Sequence, residues 1–464
     1  MFEPRMCRPP RFPRCFSAVT LTSLALLSGA ASAQGVNWKQ ATGQSISVML
    51  NQHPYQAAMV KKIKAFTALT GITVDYTVTP EENYFGKVSA ALKAKDGSAD
   101  VFMTGIYQSW DYATAGQMEP LDKYMNNPKL TQASWDAKDF FPGVLSAGKW
   151  NLKLGSPTGS GSQWVLPLGF ESNTLSYNKK YFDSKGLKPP KTLDELSALA
   201  IKLKGWNGPG SYGLAVRGTL SWATIHPGYM TAFNAAGNRD FVVQGNKLVS
   251  GLDTPAAIAF TKTWADMIRD GGPPNWQNYT WYQASTDLGA GKAAMMFDAD
   301  NAAFTQNVPG NSKEAGNIAW ALPPVGTGRP TANEWIWGIG MNAASQHKTA
   351  AWLFMQYFTS PSYQLQAALN DATMNPPRRS VWANSKFTRS LSGFSGYTDS
   401  FYEYVRGTSI KFTPQPYFFE TTTDWSQALR SIVLDKADPT ATMKSLASGI
   451  NTKLGKLRIG QIGK

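Results

Sequence analysis

The residue types available for chemistry narrow the possibilities before any element is drawn. Histidine occurs three times, at His53, His226 and His347, and both cysteines, Cys7 and Cys15, lie at the amino terminus. With histidines this far apart, no H-E-x-x-H and no later cysteine, no zinc site is announced. There is no P-loop and no G-x-S-x-G, so a Ser-His-Asp triad would have to assemble from residues that no motif marks. Gly208-Pro209-Gly210-Ser211-Tyr212-Gly213 fits G-x-G-x-x-G, but it follows a helical segment and leads towards a strand, the reverse of a dinucleotide turn. Neither a metal nor a cofactor is expected. Carboxylate pairs for glycoside hydrolysis are defined by separation in space, and that possibility stays open.

What remains is chemistry of recognition. Aromatic residues gather where strands and loops are expected to end: Tyr107, Trp110, Trp222, Tyr229, Trp281, Trp335, Trp337, Tyr417 and Trp425. Flat aromatic faces suit the C–H faces of sugar rings, while amides, carboxylates and Arg forks take vicinal hydroxyls. Any one of these rings could equally be core. Among the acids, Glu171 sits between two apolar strand-like segments with no helix to cap, which marks it for a ligand or a hinge. Glu82 doubles as the last residue of a T-x-x-E capping box, Thr79-Pro80-Glu81-Glu82. Asp298 and Asp300 follow Met295-Met296-Phe297 directly; one suits an N-cap and the other a cleft.

The elements that must position these residues begin after a leader. Arg5, Arg8, Arg11 and Arg14 precede an apolar run from Phe16 to Gly29, and Ala31-Ser32-Ala33 is an A-x-A cleavage site before Gln34. That run of about 14 residues falls short of the roughly 20 that a membrane helix needs. Export with cleavage after Ala33 is expected, with no disulfide and no lipid anchor. The whole chain carries 45 Lys and Arg against 31 Asp and Glu; without the four leader Arg and Glu3 the balance is 41 against 30. These charges never form a run of five, which argues against a nucleic-acid partner.

Ser45 to Leu50 reads as a first strand and Pro54 opens a helix carrying Met59, Val60, Ile63, Phe66 and Leu69 until Gly71. Ile72, Val74, Tyr76 and Val78 alternate as a second strand; a helix follows the capping box, and Val101 to Met103 form a third strand. This β-α-β-α-β order predicts an α/β fold with a doubly wound, mainly parallel sheet. Trp164 to Lys180 reads as a short buried strand, a glycine turn, Glu171 and a second strand. A second capping box opens at Thr192, and Thr254-Pro255 starts a further helix. Strands are expected at Ala293 to Phe297, Ile318 to Leu322 and Trp335 to Met341, then a helix from His347 to Thr359 and two tail helices split near Asp438-Pro439.

Four stretches, in order, carry a family likeness: LPLGFESNTLSYNKKYFDSKGLKPPKTLDELSALAIKL, DLGAGKAAMMFDADNAAF, ALPPVG with EWIWGIGMNAASQHKTAAWLFMQYFTSP, and TMNPPRRSVW with its helical tail. Together they resemble the extracellular solute-binding proteins of ABC transporters, in the carbohydrate-binding group that includes maltose-binding protein. The resemblance implies a two-lobed periplasmic-binding-protein fold of type II, with lobes at about 40–168 plus 327–376 and 169–326 plus 377–464. It also implies a sugar in the cleft and a membrane permease as partner, with the protein periplasmic, monomeric and without catalysis.

Carried over by position, Glu171 matches the acid at the first crossing between lobes. Gln52 and His53 match the loop after the first strand, and Thr104 and Tyr107 the turn after the third. Trp222 lies in a region that supplies aromatics. Asp298, Asp300 and Asn301 match the turn after the G-K-A-A-M strand; Asn301 stands where members often carry Trp, which favours hydrogen bonding there. Trp335, Trp337 and Trp425 complete the set, with Glu82 of the acidic Glu81-Glu82 pair. Glu81-Glu82 and the TGIYQSW turn look closer to binders of sugars and sugar alcohols than of maltodextrins. Two alternatives stand: a cationic solute such as a polyamine held by Glu81, Glu82, Glu171, Asp298 and Asp300, and a glycan-cleaving enzyme.

Overall fold

A computed structural model describes residues 35–326, 331–371, 373–407, 409–458 and 460, so the expected leader lies outside the described residues. Val36–Lys464 form one compact unit. Its strands are β1 (Ser45–Asn51), β2 (Thr73–Thr79), β3 (Val101–Gly105), β4 (Lys149–Trp150), β5 (Ser162–Gln163) and β6 (Leu166–Asn178). There follow β7 (Tyr212–Ala215), β8 (Phe241–Gln244), β9 (Lys247–Ser250), β10 (Ala293–Ala299), β11 (Ile318–Ala321) and β12 (Glu334–Met341). The main sheet runs β2-β1-β3-β12-β6-β10-β7, and β11 pairs with β6 as well. The hairpins β4-β5 and β8-β9 stand apart from it and were not foreseen in the sequence.

The expected β-α-β-α-β opening is present. β1 pairs parallel with both β2 and β3. Helix Pro54–Thr70 links β1 to β2, with Pro54 in its first turn and Gly71 closing it in the left-handed region at φ 72°. Helix Glu81–Ala94 links β2 to β3. The later helices start as read: Thr254 caps Pro255–Gly271, and Asp438 caps Pro439–Leu454 through the Ala441 N–H.

β6 is the strand that joins the two halves of the sheet. Leu166 to Ser172 pair antiparallel with β12, whereas Asn173 to Asn178 pair antiparallel with β10 and β11. β10 in turn lies parallel to β7. The partner switch falls between Ser172 and Asn173, so a single continuous strand crosses between two α/β layers. Twelve of its 13 residues are buried, the pattern of a strand covered on both sides.

Three local readings need correction. The glycine turn expected between two strands does not exist: Gly169 lies within β6, and a Cβ there would meet the Tyr55 Cζ at 2.1 Å. The glycine serves close approach of a ring, not a turn. The capping box at Thr79 is absent, because Pro80 is the N-cap and makes no side-chain cap bond. Neither Asp298 nor Asp300 is an N-cap, since Ala299 holds that place before helix Asp300–Asn307. At Thr192 the side chain does accept from the Glu195 N–H at 3.1 Å, but Glu195 Oε2 reaches the Lys191 N–H at 2.6 Å.

Candidate functional site

The crossing strands set out the site by register. Trp335 lies opposite Glu171 and Trp337 opposite Gly169, so these residues share one face; Glu334 and Ser172, the next pair, face the other way. On the first face Trp337 Nε1 donates to Glu171 Oε1 at 3.2 Å. His53 Nε2 stands 3.8 Å from the same oxygen. His53 is positioned as the N-cap of helix Pro54–Thr70, its Nδ1 accepting from the Tyr55 N–H at 3.3 Å. In the neutral ring that leaves the proton on Nε2, directed at Glu171. Glu171 is 9% exposed, and its carboxylate keeps acceptor capacity beyond these contacts.

Aromatic rings wall this face. Phe85 stands four residues after Glu81 on the same helix, so the two share one side of it. Its ring lies parallel to Trp337, 5.9 Å between centroids and 8° between planes, and it meets Trp222 and Phe419 at 6.4 and 6.3 Å. Trp222 stacks on Trp335 at 4.8 Å and on His226 at 5.5 Å.

Beyond the wall lies a buried ion pair. Arg217 follows β7 closely and sends Nε to both oxygens of Asp298, at 3.1 and 2.9 Å, and Nη2 to Oδ1 at 2.7 Å. Its Nη1 lies 3.1 Å from His226 Nε2. Burial first, and then the Arg217 charge, hold His226 well below its ordinary range, so its ring is neutral and Nε2 accepts. Burial opposes the charge on Arg217, but Asp298 outweighs it and Glu171 and Glu81 add to the effect, so the guanidinium is held above its usual value. Burial raises the Glu81 carboxyl, against the pull of Arg217 and His53. Glu81, Glu171, His53 and Arg217 therefore act on one another electrostatically and offer acceptors and donors together.

Just past the end of β10, Asp300 is saturated. It accepts from the Ser172 N–H at 3.1 Å, Asn375 Nδ2 at 2.9 Å and Tyr404 Oη at 2.6 Å. Burial pushes it up to about 6. Glu334 is 0% exposed, neither of its carboxylate oxygens has a hydrogen-bond partner, and burial pushes it up to about 8.

The residues expected from sequence separate into four groups. His53, Glu171, Trp222, Trp335 and Trp337 come together as described. Thr104 and Tyr107 are buried behind them; the Tyr107 hydroxyl donates to the Glu334 carbonyl at 2.7 Å and its ring stacks on Phe418 at 4.4 Å. Asp298 is engaged by Arg217 and Asp300 by the donors named above, while Asn301, half-buried, follows Asp300 on its helix. Gln52 and Glu82 are exposed, and Trp425 packs edge-on against Tyr229 and Phe233 at 5.4 and 5.2 Å. Trp335 and Trp337, expected to offer flat faces to a ligand, are stacked on protein rings.

Several residues here escaped the sequence reading. Arg217 and Phe85 were not singled out, and Glu81 entered only in the capping box, in the Glu81-Glu82 likeness to sugar-alcohol binders and in the cation alternative. Asn51, the last residue of β1, and Gln108, just past β3, are buried amides without a hydrogen-bond partner. Both stand near carboxyl ends of parallel strands, where open α/β sheets take ligands, and that position is the signal that could have found them. For Phe85 the signal was its i,i+4 spacing from Glu81.

The family described as bacterial extracellular solute-binding protein matches residues 51–365. An erythritol/L-threitol-binding protein of Mycolicibacterium smegmatis is 39% identical over 422 residues, covering 90% of this chain and 88% of that protein. Among solved structures, an ABC transporter solute-binding protein of Agrobacterium radiobacter K84 in complex with ribitol superposes with a TM-score of 0.77 at 21% identity, over 89% of this chain and 99% of that one. A maltose-bound protein of T. maritima gives 0.74 at 19% identity, over 88% and 100%. The fold is thus the two-lobed periplasmic-binding-protein fold that the crossing of β6 suggests. No helix among the described residues is long and apolar enough to cross a membrane. With a family match over most of its length and a relative this similar along nine-tenths of it, the chain belongs to the bacterial extracellular solute-binding proteins.

Proposed function

We propose that this protein is the receptor of an ABC importer and takes a sugar alcohol in the cleft at the β6-β12 crossing. The observation that carries this reading is the meeting of Glu171, His53, Glu81 and Arg217 beside an aromatic wall. Such a set offers acceptors and donors for a row of hydroxyls and apolar surface for the carbons between them. The similarity to an erythritol/L-threitol-binding protein supports the same ligand class. A polyamine is disfavoured, because the acids that would cage it surround a guanidinium, and Asp298 is already spent on that guanidinium.

The mechanism is hinge closure without catalysis. Open and closed arrangements of the lobes exchange, and a ligand that contacts both sides favours the closed one. We place the lobes at about 40–168 plus 327–376 and 169–326 plus 377–464, with the bending point near Ser172 and Asn173. The protein works as a periplasmic monomer after cleavage behind Ala33, docks on a membrane permease and has no nucleic-acid partner.

A thermal-shift screen against tetritols, pentitols, hexitols, maltose and polyamines tests this. Ligand at 100 times its Kd adds about 2.7 kcal/mol, so polyols are expected to raise the melting temperature and polyamines to leave it unchanged. A rise with polyamines alone would sink the reading. New products released from an oligosaccharide would favour an enzyme instead.

A further inference from the structure

The rings around the cleft are already in contact with one another. A ligand ring held between two aromatic faces needs them about 7–8 Å apart, since each face contact takes ~3.5–4.0 Å. Phe85 and Trp337 lie at 5.9 Å and 8°, and Trp222 and Trp335 at 4.8 Å and 24°. Neither pair has room for a sugar ring. Phe85 is central to this closure: one half-buried side chain from helix Glu81–Ala94 meets Trp337 of β12, Trp222 and Phe419 of helix Phe418–Leu434. The groups left to a ligand are polar and point from separate elements, Glu81 from its helix, Glu171 from β6 and Arg217 from beyond β7. Such a set follows a short flexible chain of hydroxyls more easily than a flat ring.

We propose that Phe85 sets the size limit of the ligand: with its ring over Trp337, the cleft takes short acyclic polyols and rejects pyranoses and longer sugars. This rests on the polyol reading above. Phe85→Ala removes the ring from over Trp337 and opens one face of that tryptophan. Phe85→Leu keeps much of the bulk and controls for folding.

The test is calorimetric titration of wild type and both variants with erythritol, ribitol, mannitol, methyl α-glucopyranoside and maltose. Wild type is expected to bind erythritol or ribitol at least tenfold more tightly than the pyranosides. Phe85→Ala is expected to narrow that ratio at least tenfold by gaining affinity for the larger ligands, and Phe85→Leu to keep most of it. Equal losses for all ligands in Phe85→Ala would reduce Phe85 to a packing residue and overturn the proposal. Wild-type binding of polyols and pyranosides alike would overturn the size limit and leave the polyol reading intact. Failure of every polyol to bind wild type would overturn both.

Discussion

Glu171 and Glu334 stand on neighbouring strands of one crossing, a single register step apart, and face opposite ways. Glu171 meets Trp337 Nε1 and His53 and keeps part of its surface open. Glu334 is sealed in, with no donor on either oxygen, and feels the Lys411 and Asp300 charges only at a distance. The difference follows from side-chain alternation on paired strands, which gives each face of a crossing its own chemistry. The first face keeps hydrogen-bonding groups beside aromatic rings, which suits the proposed ligand. The second is sealed, and beside the partner switch of β6 Asp300 gathers Ser172, Asn375 and Tyr404 and holds the crossing together.

The most severe break in this contrast is Asp300→Ala. It would leave the Ser172 N–H, Asn375 and Tyr404 without their acceptor, at a cost on the order of 3 kcal/mol. A lowered urea midpoint should report it, with ligand binding retained in the folded fraction. A midpoint equal to wild type would deny Asp300 its holding role.

Glu334→Gln should have a smaller effect that depends on pH. With a folded value of about 8 against an ordinary value near 4.3, the stabilising protonation of Glu334 is fully in place below about 4.3 and is lost as pH rises through about 8. Asp300, pushed up to about 6, has the same sign but its contribution is lost at lower pH. The variant should therefore melt close to wild type at pH 5 and a few degrees above it at pH 9. Parallel melting curves across that range would contradict the burial of a protonated acid. Glu82→Ala should do least: it is exposed, so stability within ~0.5 kcal/mol of wild type and unchanged affinity are expected, whereas Glu81→Ala should weaken binding.

That adjacent pair shows where the sequence was legible and where it was not. Alternation and capping residues located β1, β2, β3 and most of the longer helices, because those signals are local. A capping box read at Thr79 put the helix start one residue early and drew attention to Glu82. With Pro80 as the N-cap, Glu81 turns inward, and one residue of helix rotation separates a half-buried acid from an exposed one. Glu171 was legible as a lone acid between apolar segments, although the segments proved to be one strand. Arg217 was not, since its partner Asp298 lies 81 positions away and no spacing links them. Aromatic supply was visible too, but whether a ring's face is open or covered depends on neighbours such as Phe85, brought up from another element.

The central claim is that Glu171 links a polyol to the crossing. Calorimetric titration of erythritol and ribitol into wild type and Glu171→Ala tests it most directly. The account predicts that the variant loses at least 100-fold in affinity, ~2.8 kcal/mol, while its unliganded melting temperature stays within a few degrees of wild type. Equal affinity in the two proteins would remove Glu171 from the site and contradict the account.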